Sequence, residues 1–235
     1  MAVDKKVFVK AFLITLVLFL SVYSLNLYLN YEREKVIDER MREVVDEFEE
    51  FQALNALMEV YGQNATCMTL NSRIKLLDTN IWRLGDKIDN YRQLSKEYMN
   101  DPYYQLQKQK FNRQEVIYLS ILKAMKKSCR LNQTEILYFY QKGEECKTCD
   151  DQAYVLTYFN QRIDPEIAIF SFDADLNLPS VDVLRSLYNV TEYPCLVVED
   201  SVYCGLRDKV ELQGILCDRS GNTLSLCGIN TDKTN

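Results

Sequence analysis

Histidine is absent from all 235 residues of the chain. Its absence removes Ser-His and Cys-His nucleophile pairs, imidazole proton shuttling and every metal site that uses an imidazole. An excess of positive charge is lacking too, since 34 acidic and 28 basic residues leave a net charge of −6. A chain-wide basic footprint is therefore missing, and no nucleic-acid partner is expected. Between Ala11 and Leu29 there is no charged residue, and only Thr15, Ser21, Ser24 and Asn26 interrupt an apolar run.

That run is the first positive feature. Nineteen residues at about 1.5 Å each reach roughly 28 Å, close to the hydrocarbon thickness of a bilayer. Lys5, Lys6 and Lys10 precede it, whereas Glu32, Arg33, Glu34 and Lys35 nearly cancel after it. The positive-inside rule then predicts a single-pass protein with its N-terminus cytoplasmic and the bulk outside, in a periplasm, a lumen or the cell exterior. A cleaved signal peptide ending near Val22-Tyr23-Ser24 is the rival. Apolar character continues through Leu25, Leu27 and Leu29, which favours an uncleaved anchor over residues 11–29. Eight cysteines, an even count, suit paired disulfides in an oxidising compartment. Three Asn-x-Thr triplets, at Asn64, Asn132 and Asn189, fall beyond the anchor and would be open to a glycosylating host.

From Glu32 to Tyr61 the chain is charged but periodic. Ile37, Met41, Val44, Phe48, Phe51 and Met58 step by four and three, with Asn55 in the vacant slot. This is the pattern of a coiled-coil seam, in which one Asn fixes register. After a break at Gly62-Gln63-Asn64, a second helix is started by Thr66 or Thr69. It repeats the spacing through Leu70, Ile74, Leu77, Ile81, Leu84, Ile88, Tyr91 and Tyr98, interrupted by Ser95. Asn100-Asp101-Pro102 ends it, and a third, less regular helix is predicted over about 103–130. Folding helices two and three back on each other at Asp101-Pro102 sets Cys67 and Cys129 near one end, because they lie 34 and 28 residues from Asp101. A Cys67–Cys129 disulfide is expected there, worth about 4 kcal/mol on the chain-entropy model; two unpaired buried cysteines are the alternative. Helix one would leave the membrane for about 45 Å, helix two return and helix three go out again, with the C-terminal part at the far end of a stalk. The alternatives are a bundle packed beside that part, or a coiled coil with a partner or a second copy.

The C-terminal part opens with Ile136-Leu137-Tyr138-Phe139-Tyr140, a strand-type run. A polar loop follows, and then Cys146-Lys147-Thr148-Cys149 stands at the mouth of a helical pattern over 151–162. Three residues make nearly one helical turn, so both sulfurs lie on one face near the positive end of the helix dipole, which favours the thiolate. Beyond it are a buried-type strand (165–173), a helix opened by Pro179-Ser180 and containing 184–188, a strand (195–198), a tight turn, a strand (202–205) and a last helix (207–217). The order is βαβαββα, and the fold class is α+β. The expected divisions are 1–30 (tip and anchor), 31–131 (helical stalk or hairpin), 132–217 (head) and 218–235 (cysteine-containing extension).

Over about 134–217 the chain resembles the thioredoxin-like superfamily, in which a strand precedes a Cys-x-x-Cys helix and a later Tyr-x-Val-x-x-Tyr/Val-Pro segment brings a cis-proline to the disulfide. Tyr188-Asn189-Val190-Thr191-Glu192-Tyr193-Pro194 carries the second part. The resemblance implies Cys146 as exposed nucleophile, Cys149 as resolving thiol and Pro194 as the cis-proline. It also implies substrate contacts from Tyr193, Lys147 and Thr148. The short hairpin and Gly205 look more like glutaredoxin than full thioredoxin. Departures are clear: Glu145 replaces the usual Trp before the first cysteine, the enclosed pair is Lys-Thr, and the buried acid of thioredoxins falls on Tyr140. Glu144, Glu145, Asp150 and Asp151 should raise the thiolate pKa, against Lys147 and the helix dipole. A reductant, an isomerase-like protein or a redox-inert descendant is expected, and a strong oxidant is not.

Many connectivities are open to the remaining cysteines, and proximity in sequence allows two bonds. Setting Val198 across the turn from Ser201 puts Cys195 opposite Cys204, while Cys217 and Cys227 flank a turn-rich loop. Cys195 could instead be an extra thiol facing the site. The functional expectation is a membrane-anchored extracytoplasmic thiol–disulfide oxidoreductase acting on protein thiols and disulfides, with no cofactor beyond its own dithiol. The other reading is a binding or scaffold module in which Cys146–Cys149 is one more structural bridge. A zinc site has least support, because no second Cys-x-x-Cys is present.

Overall fold

The structure, a computed structural model, describes residues 5–61, 63–93, 101–142 and 145–228. Of the expected break at Gly62-Gln63-Asn64, Gly62 lies outside the described residues, as do Ser95, Tyr98, Asn100 and the tail at 229–235. So do the side chains of Phe51, Asn55, Met58, Asn64, Thr66, Thr69 and Tyr91. Gln63 and Asn64 are already helical, ahead of Thr66 and Thr69. The chain divides into two compact units, Met1–Glu43 and Val44–Asn235.

The described part of the first unit is a single helix, the start of α1 (Lys5–Tyr61). It contains a stretch near the N-terminus that is long and apolar enough to cross a membrane. Side chains from Phe8 to Leu29 stand uncovered, with Phe12 65% and Phe19 71% exposed. So continuous an apolar surface is what a lipid-facing helix presents.

In the second unit α2 (Gln63–Gln93) and α3 (Pro102–Cys129) pair antiparallel. The Cys67–Cys129 disulfide, the Tyr118–Asp78 hydrogen bond and the Gly85–Phe111 contact step in opposite directions along the two helices. Leu70, Ile74, Leu77, Ile81, Leu84 and Ile88 are all buried, so the four-three spacing of α2 marks an inward face. A Cβ at Gly85 would stand 3.0 Å from the Phe111 ring, so a side chain here would require the ring to give way by a few tenths of an ångström. Asp101 caps α3 by accepting from the Tyr103 N–H, with Pro102 at the first helical position.

The sheet has the order β2-β1-β3-β4. β1 (Thr134–Tyr140) runs parallel to β2 (Ile167–Asp173) and antiparallel to β3 (Cys195–Val198), which pairs antiparallel with β4 (Ser201–Cys204). Helix α4 (Cys149–Ile163) makes the crossover that two parallel strands require. On one face, Ile136, Tyr138, Ile169, Leu196 and Val198 pack with Val155, Leu156, Phe159 and Ile163 of α4. Leu212 and Leu216 of α6 (Lys209–Arg219) complete this layer. On the opposite face Leu137, Phe139, Phe170 and Phe172 are fully buried, and Tyr118 of α3 lies 5.1 Å from the Phe170 ring. Burial on both sides explains why β1 reads as an unbroken apolar run and not an alternating one. α5 (Pro179–Leu187) contacts α3.

Helix α3 lies along the sheet and does not hold it off at a distance, so the packed alternative to a stalk is what α2 and α3 adopt. The reason is an edge. β2 is an outer strand, and its outward backbone groups need partners. Asn112 of α3 donates to the Ser171 carbonyl (3.1 Å) and accepts from the Asp173 N–H (3.1 Å). Glu115 accepts from the Ser171 N–H at 2.7 Å. Just before β1, Gln133 donates to the Pro165 and Ile167 carbonyls, both at 3.1 Å.

Candidate functional site

The registers of the sheet bring four connections to one end. β1 stops at Tyr140, opposite Asp173 of β2, and its neighbour Phe139 faces Cys195 at the start of β3. Cys195 in turn faces Cys204 at the end of β4. The loop after β1, the loop after β2, the segment ending in Pro194 and the Gly205–Asp208 turn therefore meet beyond the carboxyl ends of β1 and β2. That is where open α/β sheets place their ligand sites.

Cys146 and Cys149 are bonded to each other with Cα atoms 5.4 Å apart, and Cys149 is the first residue of α4. Asp150 and Asp151 occupy the first turn, where carboxylates suit the positive helix end. Cys146 is less open than the resemblance implies. It is 8% exposed and Cys149 3%, so the first cysteine is the more accessible of the two. Lys147 is exposed and Thr148 half-buried. Glu144 lies outside the described residues.

The dithiol turn is tied to the sheet from beneath and from the side. Tyr138 donates its phenolic proton to the Cys149 carbonyl at 2.6 Å. The buried Gln152 accepts from the Arg207 N–H at 2.7 Å, linking the second turn of α4 to the connection after β4. Arg207 also donates to the Cys204 carbonyl at 2.8 Å, and the Gly205 N–H donates to the Pro194 carbonyl at 2.8 Å. The Tyr193–Pro194 peptide is cis, and so is Asp164–Pro165. Tyr193 is half-buried with the Arg185 guanidinium 5.6 Å from its ring centroid. Its phenol is pushed up by burial, against the opposing pull of Arg185.

A third set of ties comes from the end of β2, and reading the sequence missed it. Asp175 accepts from the Lys142 N–H (2.8 Å) and the Gln141 side chain (3.2 Å). Gln141 also donates to Glu145, next to Cys146, at 3.2 Å. Lys142 forms an ion pair with Asp173, whose side chain is fully buried. These residues looked like ordinary loop polarity. The cue in the sequence is an acid that ends an apolar strand, Asp173, followed two residues later by Asp175.

Cys195 and Cys204 are bonded across β3 and β4. Leu196 and Val198 belong to the core layer under α4, so by strand alternation Cys195 points to the other face. It is fully buried and is not a spare thiol beside the dithiol. Cys217 and Cys227 are bonded over their loop. Among the described residues no group of three or more Cys, Asp or Glu is placed to hold a metal ion.

No family model matches the chain. No curated protein matches it either. Among solved structures, a chain described as "Structure of a malarial protein" is similar over 37% of this chain and 98% of its own. Its identity is 16% and its TM-score 0.33, too distant a likeness to bear on fold or function.

Proposed function

We propose that the chain is a membrane-anchored thiol–disulfide oxidoreductase whose working groups are Cys146 and Cys149, carried on a thioredoxin-like head outside the cytoplasm. The observation that carries this reading is the shared location of two elements. A bonded cysteine pair opens α4, and the Tyr193–Pro194 peptide lies at the same end of the sheet through the β1–β3 register. The βαβαββα order and the mixed four-stranded sheet support the family reading. The apolar start of α1 supports the anchor, with the orientation drawn from the flanking lysines. Coiled-coil pairing with a partner or a second copy belongs to the same proposal.

In the reductive direction the Cys146 thiolate attacks one sulfur of a substrate disulfide. A mixed disulfide forms and the other substrate sulfur leaves as a thiolate. The Cys149 thiolate then attacks the Cys146 sulfur and releases the second substrate thiol. Two electrons have passed from the dithiol to the substrate, and an external dithiol must restore the enzyme. Glu145, Asp150 and Asp151, close in sequence to the pair, disfavour the thiolate form, so less of the dithiol is reactive and its disulfide is favoured, which fits a slow reductant or isomerase.

The small exposure of both cysteines favours a second reading, in which the bond is structural and the head a binding module. The test uses the full chain in detergent or nanodiscs, comparing wild type with Cys146→Ser in insulin reduction and in refolding of a scrambled substrate. The oxidoreductase reading expects activity in the wild type and its loss in the variant. Equal rates would leave the binding module.

A further inference from the structure

We infer that Asp175 is a positioning residue for the dithiol, holding the loop that carries Cys146 so that its sulfur stands within bonding reach of Cys149. The inference rests on the oxidoreductase reading for its purpose, though not for its measurement.

Cys149 is fixed from its own side by α4 and by the Tyr138 bond to its carbonyl. Cys146 precedes the helix and is joined to it by one long backbone bond, the Cys149 N–H donating to its carbonyl at 3.4 Å. Its loop is fastened also to the end of β2. Both carboxylate oxygens of Asp175 are engaged, one by the Lys142 main chain at 2.8 Å and the other by the Gln141 side chain at 3.2 Å. Gln141 relays the hold to Glu145, the residue before Cys146.

Asp175 is held in turn. Its N–H donates to Asp173 Oδ1 at 3.1 Å, and its carbonyl accepts from Asn177 at 3.1 Å. Asp173 is fixed by Lys142 on one side and by Asn112 of α3, which receives the Asp173 N–H, on the other. A line of contacts thus runs from α3 through the end of β2 to the first cysteine. The charged residues that take part in it are Lys142, Glu145, Asp173 and Asp175.

An arrangement that restrains one thiol near another raises its effective concentration, and so stabilises the disulfide relative to the dithiol. Loosening it should make the pair easier to reduce. The carboxylate's two charge-assisted bonds make a change of about tenfold the reasonable scale. Position and charge can be separated here, because Asn keeps one acceptor oxygen for the Lys142 N–H while removing the negative charge.

The experiment equilibrates full-length wild type, Asp175→Ala and Asp175→Asn in graded dithiothreitol redox buffers, and reads the Cys146–Cys149 state by differential alkylation and peptide mass spectrometry. Asp175 is exposed, so the fold should survive, and circular dichroism checks it. The expected result is a shift of about tenfold towards the dithiol in Asp175→Ala, with a clearly smaller shift in Asp175→Asn, which keeps the Lys142 N–H bond and loses the Gln141 one. Unchanged equilibria in both folded variants overturn the inference, and so do equal shifts in both, which would make charge and not position the cause. A larger shift in Ala than in Asn with no wild-type insulin reduction sustains the positioning role and removes the oxidoreductase reading. Insulin reduction with an unmoved equilibrium does the reverse.

Discussion

The phenol of Tyr138, midway along β1, donates a 2.6 Å hydrogen bond to the carbonyl oxygen of Cys149, the first residue of α4. A core residue of the central strand thus supports the turn that holds the sulfurs. Tyr138→Phe keeps the ring and removes the donor, leaving the Cys149 carbonyl only its partner within the helix. The variant should lose about 1 kcal/mol of stability, read as a lower urea midpoint with an unchanged slope.

The outer edge of β2 depends on Asn112. Its side chain is fully buried and serves the Ser171 carbonyl and the Asp173 N–H together. Asn112→Ala orphans both, so a loss of roughly 2–4 kcal/mol is expected. The Asp173 amide should also exchange its hydrogen much faster in the folded protein. An unchanged exchange rate would show that water replaces the side chain without loss.

Asp78 on α2 gives the second unit a pH dependence. Burial, then the charge of Asp164, push its carboxyl from 3.8 up to about 7, against the lowering effect of the Tyr118 hydroxyl bond. The folded state therefore binds this proton more tightly than the unfolded chain. The stabilisation is complete below the ordinary carboxylate pKa and disappears as pH rises through about 7. Roughly 4 kcal/mol is at stake. Urea unfolding should show the wild type stabler near about pH 4.5 than near about pH 8 by more than Asp78→Asn is. Parallel pH profiles for the two proteins would contradict this.

Cys67 and Cys129 clamp the hairpin across a sequence separation of 62. Removing the clamp frees the unfolded chain, at about 4 kcal/mol on the entropic account. Cys67→Ser with Cys129→Ser should melt lower than wild type under non-reducing conditions. The difference should vanish once wild type is fully reduced.

Much of this architecture could be read from residue order. The 136–140 run marked β1 because both its faces are covered, and the four-three spacing of α2 marked a buried face through Leu70 to Ile88. Counting from Asp101 brought Cys67 to Cys129, and the tight turn aligned Cys195 with Cys204. What stayed hidden was the partner of each face. Asn112 and Glu115 look like solvent-facing helix residues until β2 is known to be an edge. The hold of Asp175 on Lys142 and Gln141 joins segments more than thirty residues apart by side-chain bonds that no periodicity announces. Spacing reports how an element folds on itself, whereas contacts between elements depend on topology.

All eight sulfurs are matched within the chain, leaving no free cysteine. Copies crowded together in oxidising surroundings would hold no leftover thiol with which to weld to one another. Covalent clumping would have to begin with the rupture of a bond already made.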